Sequence, residues 1–330
     1  MAPRKLQIAA AGLGRMGHRH ALNFLNRTPR AELVAAFSPD PKEHEWAREH
    51  LELFGQGLDA LVIGTASSVH AEEAIKAMQK NLHVLCEKPL STSVEVCRQV
   101  VEEAKKRPHL KVMCGFSRRF DDSYETAFSK VDQGQIGRPI ILRSQTCDKH
   151  DPSGFFVEYA AWSGGVFVDM SVHDIDLTLW FFGNQIQPKS ISAHGYVDNA
   201  VGIVEFWGGQ IAYYYCTRMM AHGQEDVTEV IGTEGKLSVN LIPQSNLVRQ
   251  YSEKGITQEV PAHYHGRFEM AFVKEANEFP AACLDDTPLA MPIENAVKAV
   301  QIGSWLQEAL VTGKQIHFDQ SGKRLEKSNL

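Results

Sequence analysis

A chain of 330 residues exceeds the roughly 250 residues that one hydrophobic core usually supports, so two domains are expected. With 43% hydrophobic and 22% charged residues, it has the composition of a globular protein and not of a disordered one. A net charge of −6 leaves no broad basic surface for nucleic acid or an anionic membrane, which points to a small-molecule partner.

The pattern opens on a short apolar run, Leu6 to Ala11, followed at once by Gly12-Leu13-Gly14-Arg15-Met16-Gly17 and helical periodicity to about Arg27. Glu32 to Phe37 reads as a second strand, Pro41 to Phe54 as a helix and Leu58 to Gly64 as a buried strand. His70 to Lys80 is helical, Leu82 to Cys86 a strand, Thr92 to Lys106 a helix and Lys111 to Gly115 a short strand. This alternation builds a parallel sheet, and the first domain is expected to span residues 1–117. The second domain, 118–330, begins with a helix at about Ser123 to Gln133 and a strand at Pro139 to Cys147. A loop rich in Pro, Ser and Gly then leads to Gly164-Gly165 and a helix starting near Asp169. From Ile191 to Val260, β-rich runs alternate with turn signals, which predicts a large open mixed or antiparallel sheet. Helices at about Arg267 to Cys283 and Ile293 to Thr312 complete an α/β fold. The cysteines form no C-x-x-C pair and read as reduced thiols. No apolar signal core precedes the first strand, so the protein is expected to be cytoplasmic.

A G-x-G-x-x-G match alone is weak, since a tight turn satisfies it. Here it follows a strand and opens a helix, where glycines permit the close approach of a pyrophosphate seated at the helix N-terminus. Gly12, Leu13, Gly14, Arg15, Met16 and Gly17 are therefore the expected cradle of a dinucleotide. In NAD-selective versions of this fold, an acidic residue about 20 residues on holds the ribose 2′-hydroxyl. The second strand ends Ala36-Phe37-Ser38-Pro39, and the first acid after it is Asp40. Ser38 would leave room and a donor for a 2′-phosphate, with Arg15 adding charge, which tilts the expectation toward NADP. Asp40 or a backbone group reaching the ribose would give NAD, so the cofactor is expected to be NADP or NAD.

Cys86-Glu87-Lys88-Pro89 stands at the C-terminal end of a buried parallel strand, where open α/β sheets place ligand-contacting groups. A lysine amine near a positively charged nicotinamide has its own charge disfavoured, which moves it toward a useful acid/base range. On residue type alone, a solvated lysine at a turn before proline is the plainer reading. The second piece runs from Ser163 to Asp176. A helix starting near Asp169 puts Asp169, His173 and Asp176 on one stripe and Val172, Ile175, Leu179 and Phe182 on an apolar one. The apolar stripe docks on the sheet while the polar one lines a cleft. His173 has the intrinsic pKa to exchange a proton with an alcohol near neutral pH, while Asp169 orients it or binds a substrate hydroxyl. A capped helix with a surface histidine is one alternative, and a metal site on Asp169, His173 and Asp176 is another.

Together, Gly12 to Gly17, Glu87-Lys88-Pro89, Arg118-Arg119-Phe120-Asp121, and Gly164-Gly165 followed by Asp169-x-x-x-His173-Asp174 resemble the glucose-fructose oxidoreductase / inositol dehydrogenase / MocA family. The stretch from Gly115 to Asp176 is most like its inositol 2-dehydrogenases. The resemblance implies an N-terminal Rossmann domain joined to a C-terminal α/β domain whose open sheet often serves subunit association. It implies Lys88, Asp169 and His173 as the catalytic group. It also implies a cofactor held by Gly12 to Gly17, by Thr65, Ala66 and Ser67 with His70, and by Glu87 and Lys88. Arg118, Asp148 and Tyr159 match positions around the family's substrate pocket, beside Lys88, Asp169 and His173.

Two departures accompany it. The family usually has a further short strand and helix before the strand at Leu58 to Gly64, whereas Phe54-Gly55-Gln56-Gly57 connects directly here, so an edge strand is expected to be missing. Ser38 also replaces the acid common in NAD-using relatives. The expected reaction is direct hydride transfer between a secondary alcohol of a cyclitol or sugar and the nicotinamide, with His173 or Lys88 taking the hydroxyl proton, Asp169 holding geometry, and no metal. A glycosidase or epimerase using bound NAD transiently, and a non-catalytic nucleotide- and sugar-binding regulator, are the alternatives. One face of the sheet from Ile191 to Val260 has no helix left to cover it, so a homodimer or homotetramer is expected.

Overall fold

The computed structural model describes residues 3–50, 57–160, 162–196 and 198–325. Its contacts divide the chain into two compact units, Met1–Asp121 with Met270–Val300, and Asp122–Glu269 with Gln301–Leu330. The first stretch runs β1 (Leu6–Ala11), α1 (Arg15–Asn26), β2 (Ala31–Phe37), α2 (Pro41–His50), β3 (Ala60–Ile63) and α3 (His70–Gln79). It continues with β4 (His83–Glu87), α4 (Val94–Lys105), β5 (Val112–Gly115) and a 3-10 turn, Ser117–Phe120. Next come α5 (Asp122–Asp132), β6 (Pro139–Lys149), α6 (Phe155–Ala160), α7 (Val166–Asp169) and α8 (Val172–Phe182). Then follow β7 (Pro188–Tyr196), β8 (Asn199–Phe206), β9 (Ile211–Met220), β10 (Glu225–Gly232), β11 (Lys236–Val239), β12 (Arg249–Ser252) and β13 (Gly255–Gln258). The chain closes with α9 (Tyr264–Asp285), α10 (Ile293–Thr312) and β14 (Ile316–His317).

In the first unit, five parallel strands lie in the order β2-β1-β3-β4-β5. Their apolar runs are continuous because helices cover both faces of such a sheet, and Ile8, Val62, Ile63, Val84, Leu85 and Cys114 are all buried. No strand lies outside β2 among the described residues. The direct connection expected before β3, 54–56, lies outside the described residues. The boundary differs from a division at 117/118, because this unit also takes in most of α9. Asn277 of α9 donates to the Arg27 carbonyl (3.0 Å), and Asp285 at its end receives a forked pair from Arg30 (2.5 and 2.7 Å). Pairing of this kind between residues 250 positions apart leaves no signal in local periodicity.

The second unit is a seven-stranded mixed sheet, β11-β10-β6-β9-β8-β7-β14, in which only β6 and β9 run parallel. Alternation along β9 sends Ala212, Tyr214, Cys216 and Arg218 to the buried face. Against that face lies α8. Asp174 on α8 accepts from Ser144 Oγ (2.6 Å) and Thr146 Oγ1 (2.7 Å) of β6, and Tyr214 donates to Thr178 Oγ1 (2.8 Å).

Two local expectations are corrected. The loop before Gly164 contains α6, and the single helix expected from Asp169 is two, α7 and α8, interrupted at Met170 and Ser171. Gly165, which leads into α7, has φ +82°, and a Cβ there would strike the Gln307 side chain at 2.2 Å. Asp169 therefore closes one short turn while His173 opens the next helix. All three residues of the polar stripe, Asp169, His173 and Asp176, are buried.

Candidate active site

The glycine-rich loop of the first unit separates into packing and opening positions. Gly12 has φ +82°, and a Cβ on it would lie 2.7 Å from the Gly64 carbonyl oxygen. A Cβ on Gly17 would lie 2.0 Å from the Gly12 carbonyl oxygen. Those two residues let helix and strand touch. Gly14 has no such reason: the nearest atom to a Cβ there is Glu43 Oε1, at 4.0 Å. Gly14 is also the residue before α1, whose first turn carries no acidic residue and no side-chain cap. Helix-end amides, positive helix-end potential and open space together fit a dinucleotide pyrophosphate. Leu13 anchors the loop in the core, while Arg15 is exposed and Met16 half-buried.

The adenosine side differs from expectation. Ser38 is buried and its hydroxyl donates to Glu43 Oε2 while accepting from the Asp40 amide (3.1 Å). His44 Nε2–H donates to the Ser38 carbonyl (2.6 Å). The serine is thus engaged inside its own loop, and the acid beside the glycine loop is Glu43, on the first turn of α2. A carboxylate here accepts from a ribose hydroxyl and repels a 2′-phosphate.

Thr65 donates to Glu73 Oε2 (2.7 Å), Ala66 is exposed and Ser67 half-buried. The buried His70 ring lies between two carbonyls, Nε2 at 3.1 Å from Thr65 O and Nδ1 at 2.9 Å from Pro89 O. It ties the loop after β3 to the loop after β4. At the end of β4 the buried Glu87 carboxylate accepts from His20 Nε2–H (2.7 Å) through one oxygen and from the Lys88 amide (3.1 Å) through the other. Burial works against its charge, but the His20 hydrogen bond and the positive charges of His20 and Lys88 outweigh it, holding the carboxyl below its ordinary range. Lys88 itself is half-buried. Arg118, in the 3-10 turn, is 1% exposed.

In the second unit, Asp169 and Asp148 share one cation. Arg218, at the end of β9, pairs through Nη2 with Asp169 Oδ2, and its Nε stands 4.0 Å from Asp148 Oδ2. Asp148 also accepts from Gln224 Nε2 (2.8 Å). Both Arg218 and Asp169 are largely removed from water, and a charged hydrogen bond there fixes carboxylate orientation strongly. One turn beyond Asp169, the His173 ring stacks on Tyr264, with centroids 5.1 Å apart and planes 27° from parallel. Tyr159 packs with Phe155 (5.8 Å) and Trp162 (4.8 Å), an aromatic group that is itself partly exposed.

Residues 6–116 match a family model described as an oxidoreductase family with NAD-binding Rossmann fold, and residues 124–238 match the GFO/IDH/MocA C-terminal domain. The scyllo-inositol 2-dehydrogenase (NAD(+)) of Bacillus subtilis (strain 168) is 30% identical, over 96% of this chain and 97% of its own. The chain belongs to the GFO/IDH/MocA family. Among solved members, the scyllo-inositol dehydrogenase of Lactobacillus casei with bound NAD(H) and scyllo-inositol superposes with a TM-score of 0.90 at 31% identity, covering 95% of this chain and 99% of that one. The myo-inositol 2-dehydrogenase of Lactobacillus plantarum gives 0.90 at 30% identity, covering 96% and 100%. Like the rest of the GFO/IDH/MocA family, the chain is an oxidoreductase with an NAD-binding Rossmann domain.

Sequence reasoning missed Arg218, Glu43, His20 and Tyr264. A signal existed for two of them. Arg218 continues the alternation Ala212, Tyr214, Cys216, and His20 falls on the buried stripe Gly17, Ala21, Phe24 of α1, so each is a polar residue at a core position. Glu43 had no signal, because its role depends on how α2 folds back over the glycine loop.

Proposed function

We propose that this protein is an NAD-dependent dehydrogenase acting on a secondary alcohol of a cyclitol, with Lys88, Asp169 and His173 as its catalytic residues. The buried Arg218–Asp169 pair carries the reading. The pair fixes the orientation of the Asp169 carboxylate as a hydrogen-bond acceptor, which suits it to receive a substrate hydroxyl. His173 and Lys88 are then the residues suited to take the hydroxyl proton as the carbinol carbon is oxidised. Asp148, held by Gln224 and facing the same guanidinium, supplies a second acceptor for a polyol ring with several hydroxyls. Bound NAD supplies the hydride acceptor. Gly12 to Gly17 would hold its pyrophosphate and Glu43 its ribose, while Glu87 orients the segment carrying Lys88. The names of the relatives, with scyllo-inositol bound in one of them, support a cyclitol over a linear sugar.

The protein also forms a homodimer, or a pair of dimers, through the outer face of its large sheet. Rows of cross-strand neighbours lie there, Ile141, Ile211 and Glu205 in one and Arg143, Tyr213 and Ile203 in the next. Ile203 and Ile211 are both exposed, beside a further exposed Trp207. A two-fold association buries such a face and stays closed. Purified protein assayed with scyllo-inositol, myo-inositol, pentoses and hexoses against NAD and NADP, following the reduced cofactor, tests the activity. Turnover on a cyclitol with NAD is expected, and none on any cyclitol would overturn it. Light scattering during size exclusion is expected to give a multiple of 36.8 kDa, and a mass of one chain refutes the dimer.

A further inference from the structure

Behind the Lys88 loop, the first unit buries three ionisable side chains from three elements. His20 comes from α1, Glu87 from the end of β4 and Glu275 from α9, where it is completely buried. Glu87 sits opposite Gly115 in the β4–β5 pairing, and a Cβ on Gly115 would lie 3.6 Å from Glu275 Oε1. A Cβ on Gly115 would be in ordinary contact with both Glu87 Cα (3.5 Å) and Glu275 Oε1, which places the second carboxyl close to Glu87. Neither Glu275 oxygen has a hydrogen-bond partner among the described residues, nor does His20 Nδ1, while His20 Nε2 is committed to Glu87. Phe272, one turn before Glu275, packs edge-on against the imidazole at 5.8 Å.

We propose that His20 is a positioning residue for the catalytic lysine, and that the Glu275 carboxyl behind it is the group through which proton activity acts on that position. The inference rests on the assignment of Lys88 to the reaction. His20 holds one Glu87 oxygen, and the other holds the Lys88 amide, so displacement of the imidazole is felt at Lys88 through a single planar carboxylate. Burial, opposed by His20 and reinforced by the charges of Glu87 and Glu278, pushes the Glu275 carboxyl up to about 8, so it is neutral at neutral pH. Burial disfavours the charged form of His20, but its hydrogen bond to Glu87 and the Glu87 charge outweigh this and raise its pKa above the ordinary value, and the Glu275 charge raises it further once that carboxyl ionises. The charges facing Glu87 are those of His20, Lys88 and His70. While Glu275 is protonated, one buried carboxylate faces the imidazole. Once it ionises, two buried carboxylates compete for the same ring, and His20 Nδ1, which has no partner among the described residues, is the position open to the newcomer.

The test follows the Lys88 amide in protein free of cofactor, by selective 15N-lysine labelling with the resonance assigned through Lys88→Arg. Between pH 6.5 and 9.5, a range of about three units around a group titrating near 8, the wild-type resonance is expected to move with that midpoint. Glu275→Gln, which cannot ionise, is expected to abolish the movement and keep neutral-pH turnover. His20→Gln is expected to displace the resonance at every pH and lower kcat about tenfold to a hundredfold, with less than about threefold change in substrate KM. A Lys88 resonance that titrates as before in Glu275→Gln, or wild-type turnover and resonance in His20→Gln, overturns the proposal. If His20→Gln does not fold, the Glu275→Gln arm decides alone. A normal Lys88 titration in a protein that turns over no cyclitol would sink the proposed activity and leave this coupling standing.

Discussion

Replacing Arg218 by Met removes the cation from a buried pair while keeping much of the side-chain volume. Its partner Asp169 is only 8% exposed, so the variant strands a carboxylate in a region that solvates charge poorly. Breaking a buried pair on one side typically costs about 3–5 kcal/mol, against a total stability on the order of 5–15 kcal/mol, so the variant is expected to fold but with a clearly lower urea midpoint. Turnover is expected to fall about a hundredfold or more, because Asp169 loses the contact that fixes its orientation. Binding of NADH, measured by its fluorescence, is expected to be unchanged, since the glycine loop and Glu43 belong to the other unit. The double variant Arg218→Met with Asp169→Asn removes both charges, so stability is expected to return to within about 1–2 kcal/mol of wild type while turnover stays lost. Arg218→Lys keeps the charge without the planar fork and is expected to fall between. An unchanged urea midpoint together with unchanged kcat/KM in Arg218→Met would refute the role given to this pair.

Lys88→Ala and His173→Ala are each expected to lower kcat about a hundredfold or more while cofactor binding remains measurable, and near-wild-type turnover in both would remove them from the mechanism. Glu43→Gln takes away the carboxylate beside the ribose site, so the NADP to NAD ratio of kcat/KM is expected to rise about tenfold or more. An unmoved ratio would show that Glu43 does not read the ribose. Glu275 carries a stability signature as well. Its carboxyl titrates near 8 in the folded protein and at an ordinary value of 4.5 otherwise, so over that window the folded state holds a proton that the unfolded chain has released. Stability attributable to it falls as pH rises from about 4.5 to 8 and is flat above. Glu275→Gln is expected to remove that slope, which urea midpoints measured at intervals across the window would show or deny.

The elements of the first unit were legible because short apolar strand runs alternate with helical segments between turn signals. The glycine loop was legible because strand, loop and helix follow one another in the chain. What failed did so for identifiable reasons. The helix at Asp169 was drawn as continuous because the polar stripe Asp169, His173, Asp176 keeps helical spacing across Met170 and Ser171, and nothing in that spacing marks the interruption that separates α7 from α8. Ser38 was read by its residue type at the end of β2, and the hydrogen bond of its hydroxyl to Glu43, five positions away, went unread because it depends on the fold of α2. The membership of α9 in the first unit rests on pairs such as Arg30 with Asp285, which no local pattern contains.

Buried charges are the residues that pattern reading discards, and the proposals above rest largely on them. Arg218, His20, Glu275 and Asp174 all occupy core positions of otherwise apolar stripes, so a search for polar exceptions would have found all of them. Such a search could not have told them apart. Asp174 takes a hydroxyl on each oxygen, from Ser144 and Thr146, both in β6, and so fastens α8 to the sheet. Arg218 spends its charge on Asp169, which is proposed above as a catalytic residue. Glu275 has no hydrogen-bond donor among the described residues, and a buried carboxyl left so has a structural cost with no structural return. The partner, not the residue type, therefore separates an anchoring charge from a functional one, and only the folded chain shows the partner.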